Sequence, residues 1–422
     1  MIHRRLPAAT CLVFGFLVPA LLVPGFLVLG SSCLADEPYL EFLRGLQNRG
    51  YGEQALAYID SIAVRPDLPE ELKSALDLER SKSLRIAAGE AYDVPQRDAR
   101  LAEAKRLAEK FFKENPNHAA AGSVLLSEAD DTLLKGQMSL AEWRVLKEKE
   151  AQDKALAAAR TALSAARAQY EDGVKKLKEK MDALPTPENP REKDPVREEL
   201  EFAWLDARLK SALSAYFLAQ TITEEMSPEK KALLEGAGKG FDAIFQEYRS
   251  SGKPFVMLPH MWHGKVLEEL GDTLTAMDVY DEVLVLTPDP KADEAKDLAL
   301  APLFGQAFLF RLRMIAKDEE TTPLDVIREG QQWLDAYKGW QTTDPYQGIG
   351  LEVAKAKMTA AERAKGTAEK TKIYREVSQT LLAMGKIEST YKREILELRR
   401  EALDQAHQRS ERGVGRRRTQ RI

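Results

Sequence analysis

From Leu258 to Pro290 the chain reads LPHMWHGKVLEELGDTLTAMDVYDEVLVLTPDP. Its apolar residues recur at helical spacing on either side of Gly271-Asp272, so the stretch is expected to form two short helices folded back on each other. The first carries Trp262, Gly264 and Leu267; the second carries Ala276, Tyr280 and Val283, and Pro288 stops it. Gly264 and Ala276 are small enough to let two helix backbones approach closely, while the larger apolar residues fill the space around that contact.

This spacing resembles a tetratricopeptide (TPR) repeat, whose pattern is W-x2-L-G-x2-Y, then A-x3-F, then P. Here the pattern becomes His260-x2-His263-Gly264-x2-Leu267, then Ala276-x3-Tyr280, then Pro288, with two histidines where the family favours Trp and Leu. The resemblance implies a stack of helix pairs that holds peptides or partner proteins in a groove lined by the first helix of each pair. Carried onto this repeat, the groove residues are Met261, Lys265, Glu268 and Glu269, which share one helical face at spacings of three and four. A charged helix face that simply meets water is the competing interpretation of the same four residues.

The remainder of the chain is also read as helical. Hydrophobic residues make up 44% and charged residues 31% of the 422, with 7% aromatic. That balance excludes a disordered or polytopic membrane chain. Ala, Leu, Glu, Lys and Arg, the strong helix formers, dominate beyond residue 36. The expected fold is all-α: a TPR-like helical-hairpin solenoid interrupted by a long antiparallel coiled-coil hairpin.

Five segments follow. Residues 1–35 form a signal peptide or membrane anchor, with His3, Arg4 and Arg5 before an apolar run from Cys11 to Gly30 and a cleavage site expected after Ala35. Residues 36–138 hold TPR-like helices, beginning with a pair in which Tyr39, Leu43 and Leu46 face Ala55, Ile59 and Ile62 across Gly50. Residues 139–226 carry the coiled-coil signal. Leu156, Ala159, Leu163, Ala166 and Tyr170 alternate spacings of three and four, with a shift near Gly173, and the prolines from Pro185 to Pro195 form the tip. Residues 227–408 continue the repeats, with helices expected over Ala292–Ala316 and Pro323–Tyr337. Residues 409–422 form a basic tail expected to be disordered.

Charge divides the same way. The formal net charge is −5, yet the last fourteen residues hold six arginines against Glu411, so the body is more acidic than the total. Arg412, Arg416, Arg417, Arg418 and Arg421 are candidates for contact with an anionic polymer or lipid surface. Export, which the leader implies, disfavours nucleic acid as their target. Both cysteines, Cys11 and Cys33, fall in the leader, so the mature chain has no disulfide to draw on.

No catalytic constellation emerges. His260 and His263 form H-x2-H, but Met261 stands where a zinc protease has its glutamate, and no third ligand is identifiable, so no residue is assigned to a metal. Gly236-Ala237-Gly238-Lys239-Gly240 lacks both the spacing and the hydroxyl of a phosphate loop; its glycines are expected to allow a tight helix crossing or a kink. The leading expectation is a non-enzymatic interaction scaffold of the bacterial cell envelope, exported to the periplasm, that binds a protein or peptide partner and needs no cofactor. The alternatives are a metal-dependent hydrolase using His260 and His263, or a coiled-coil protein whose role is assembly.

Overall fold

The computed structural model describes residues 39–48, 50–90, 94–115, 121–185, 194–251, 256–296, 298 and 300–419. The leader and both cysteines lie outside these residues. The described residues contain fifteen α-helices and no strand, so the chain is all-α. None of these helices is long and apolar enough to cross a membrane. Two compact units divide within one helix, after Gly240.

The first unit opens with α1 (Tyr39–Asn48) and α2 (Gly52–Ala63), joined at Gly50, which takes a positive φ of 77°. Leu43, Ala55 and Ile59 close the space between them. Next come α3 (Glu70–Glu90) and α4 (Val94–Glu114), which pack along each other with Leu78 against Ala108 and Phe111. The following three helices are α5 (Ala121–Val145), α6 (Lys149–Ala183) and α7 (Pro195–Ala219), and they share one core.

That trio departs from the expected hairpin. Ser139 lies inside α5 instead of beginning a long helix, and the chain breaks at residues 146–148. It then doubles back, so α6 packs against α5 on one side and α7 on the other. Of the residues expected to form a two-helix seam, Ala159, Leu163, Ala166 and Tyr170 are buried and Leu156 is half-buried, and Leu177 and Met181 continue the buried stripe. They serve two neighbours at once. Glycine makes the α5–α6 approach close, since a Cβ on Gly136 would lie 2.7 Å from Leu163 Cγ and one on Gly173 2.7 Å from Leu126 Cδ2. The irregularity at Gly173 in the sequence is therefore the imprint of α5.

Helix α8 (Pro228–Tyr248) carries the division between the units. The glycines of residues 236–240 sit in its unbroken interior. A Cβ on Gly240 would stand 3.1 Å from the Ala212 methyl of α7, which is the tight crossing the sequence predicts.

In the second unit α9 (Met257–Leu270) and α10 (Thr273–Val285) form the expected pair. Then come α11 (Ala301–Lys317), α12 (Pro323–Ala336), α13 (Asp344–Arg363), α14 (Thr367–Met384) and α15 (Lys392–Thr419). Helix α11 begins nine residues after the expected Ala292 because Pro302 occupies its first turn. Proline fits there, but inside a longer helix its ring would clash with the preceding turn. Phe308 of α11 stacks on Trp333 of α12, with centroids 4.3 Å apart and an interplanar angle of 11°. Leu303, Phe304 and Ala307 instead join Met261, Ala276 and Tyr280 of the preceding pair. The backbone of α15 is helical through Thr419, where irregular chain was expected beyond Gln408. The arginine side chains of that stretch lie outside the described residues, and Arg421 does so entirely.

Candidate functional site

The α9–α10 pair positions the residues singled out from the sequence. Gly271 ends α9 in the left-handed region, φ +89°, a conformation glycine adopts without steric cost. Asp272 then caps α10 by accepting from the Thr275 backbone N–H at 3.2 Å. Above the turn, Gly264 lets α9 settle on α10: a Cβ there would lie 2.8 Å from Val279 Cγ1 and 2.9 Å from Tyr280 Cε1. Ala276 of α10 is fully buried in the core that includes Met261 and Phe304.

The four groove candidates then separate. Met261 is 1% exposed and packs in the core with Tyr280 and Phe304. It offers no surface to a partner, so its assignment to a groove is corrected; a methionine on this face fills the gap between α9 and α11. Lys265, Glu268 and Glu269 stay together as a half-buried ionic cluster. Lys265 Nζ lies 3.0 Å from Glu268 Oε2 and 3.6 Å from Glu269 Oε1, and it stands 5.2 Å over the Phe310 ring. The Tyr280 hydroxyl donates to Glu268 Oε2 at 3.2 Å, and Lys317 from α11 reaches Glu268 Oε1 at 3.1 Å. Burial pushes the Glu268 carboxyl up, but Lys265 and Lys317 together hold it below the usual carboxylate range. Burial, reinforced by Glu268, pushes the Tyr280 phenol up. Tyr280 and Lys317 are the members that sequence reading missed, the first because its hydroxyl sits on a core residue, the second because it arrives from another helix.

His260 is 5% exposed, and its ring lies flat on Phe245 of α8, centroids 3.7 Å apart at 12°. Its Nε2 is 2.8 Å from Glu282 Oε2 of α10, while Nδ1 is buried without a hydrogen-bond partner. The His263 ring is 6.5 Å from that of His260 and half-buried. Among the described residues no group of three or more His, Cys, Asp or Glu side chains gathers closely enough to hold a metal ion.

A second polar cluster, in the first unit, has no counterpart among the sequence candidates. Lys210 Nζ on α7 lies 2.6 Å from Asp206 Oδ2 and 2.8 Å from Asp130 Oδ1 of α5. The Tyr170 hydroxyl of α6 donates to the same Asp130 oxygen at 2.6 Å. Burial alone would lower the Lys210 ammonium, yet Asp130 and Asp206 hold it above its ordinary value. The Asp206 carboxyl is pushed up by burial in spite of Lys210. Its one legible sign in the sequence was the Asp206/Lys210 pair, four apart beside the apolar stripe of α7. Each cluster joins three helices, its charges on two of them and a tyrosine hydroxyl on the third.

No protein-family model matches this chain. A comparison with curated proteins likewise finds no match.

Proposed function

We propose that the chain is a non-enzymatic scaffold of the cell envelope, a TPR-like array that binds a protein or peptide partner along the first helices of its pairs. The observation that carries this reading is the α9–α10 contact. Gly264, a small residue of the repeat pattern, seats α9 on Val279 and Tyr280 of α10, Ala276 is fully buried, and Gly271 makes the turn between the helices. The partner edge of this pair is the Lys265–Glu269 rim, which carries both charge signs. The tail arginines add an affinity for anionic polymers or lipid headgroups.

Placement in the envelope rests on the basic and apolar leader before Ala35. Sequencing the N-terminus of the protein recovered from cells is expected to give Asp36 as the first residue, from an extracytoplasmic fraction. A cytoplasmic protein that still begins at Met1 would remove the envelope from the proposal. The binding role is tested by crosslinking from the α9–α10 edge in living cells.

A further inference from the structure

The two histidines of the repeat are not absorbed by a scaffold role, and their surroundings are unusual. Helices α8 and α9 do not pack closely along their backbones. They meet through rings. Phe245 lies on His260, and Phe241 stacks on Trp262 at 6.4 Å. The segment 241–248 of α8 is therefore tied to α9 largely by side chains in which His260 is central.

An ionised carboxylate only accepts, so the hydrogen shared with Glu282 belongs to His260 Nε2, and in the neutral ring Nδ1 is a bare lone pair. Protonation adds an N–H at Nδ1, where no acceptor is within reach. A buried donor left without a partner is costly. His263, one turn along α9, would then place a second positive ring 6.5 Å from the first.

We propose that His263, beside the His260–Phe245 stack, forms an acid-sensitive catch: with its ring neutral the stack holds segment 241–248 of α8 on α9, and with its ring charged that segment is released. The charged groups facing the pair are Asp242 from α8 and Glu282 from α10. Lys265 of α9 is engaged with Glu268 and Glu269. Asp242 opposes the depression of His263, so it reduces the response without abolishing it.

His263 fits this direction. Burial lowers its imidazole below the ordinary value of 6.5, neighbouring His260 lowers it further, and Asp242 opposes them. The sign follows from linkage. Below 6.5 the released ring takes up a proton before the packed ring does, so packing weakens as pH falls from 6.5 towards the depressed value and then levels off.

The test uses the full chain. Amide hydrogen exchange, corrected for the intrinsic effect of pH, is measured on peptides covering residues 241–263 at pH 7.5 and 5.5, beside an NMR titration of the histidine Cε1 protons. Wild type is expected to show a several-fold faster exchange of the 241–248 segment at pH 5.5, with His263 titrating below 6.5. His263→Asn is expected to remove most of the acid response, and Asp242→Asn to enlarge it at pH 5.5. Exchange that is unchanged by acid, an acid response identical in all three proteins, or a His263 titration at or above 6.5 would each overturn the catch. The titration needs no variant, so a His263→Asn protein that misfolds leaves the test intact.

Discussion

At Gly264 a single hydrogen atom stands where any other residue would place carbon against Val279 and Tyr280. Gly264→Ala is expected to force α9 off α10 and to cost about 1–3 kcal/mol, the usual range for overpacking a close contact. It should be read as a lower midpoint in urea, with α9 and α10 losing exchange protection first. A midpoint within error of wild type would show that the pair does not depend on that approach. Close contacts of this kind were legible in the sequence because a helix backbone can come this near a neighbour's side chains only where a small residue such as glycine leaves room. Lys317 was not legible. It lies 49 residues beyond Glu268, and only the folded array brings the two within 3.1 Å.

Among the elements, the α5–α6–α7 trio shows what periodicity conveys and what it leaves out. The buried stripe of α6 was readable residue by residue, whereas the break at residues 146–148 carries neither proline nor glycine to announce it. Tertiary packing decides there, since α5 can bury its own stripe only by turning back. Pro302 is a signal of the opposite kind, a proline in the first turn of α11 that marks where the helix starts. The trio is pinned by Lys210 between Asp130 and Asp206. Lys210→Met removes the cation and leaves two carboxylates facing each other in a largely buried place, a loss of about 3–5 kcal/mol when one partner of a buried pair is deleted. Adding Asp130→Asn and Asp206→Asn to that variant should recover much of the stability, because no charge is then stranded. Thermal melting followed by circular dichroism distinguishes the two. Equal melting of the single and triple variants would mean that the cluster's charges are not what holds α7.

Across the whole molecule, each unit is built of helices that bury their apolar stripes against other helices. Helical class and most boundaries of those helices were predictable, because leucine and alanine stripes, proline stops and glycine turns recur throughout. The site was less so: of the four residues inferred for a groove, one fills the core and three form an ion cluster shared with other helices. The rim of that cluster is the edge proposed for a partner. A photo-crosslinking residue placed at position 269 in living cells therefore tests the central claim most directly. A discrete protein adduct from position 269, absent when the same residue is placed at exposed Leu324, is the expected result. No adduct from position 269, or the same adducts from both positions, would contradict a partner-binding edge on this helix pair.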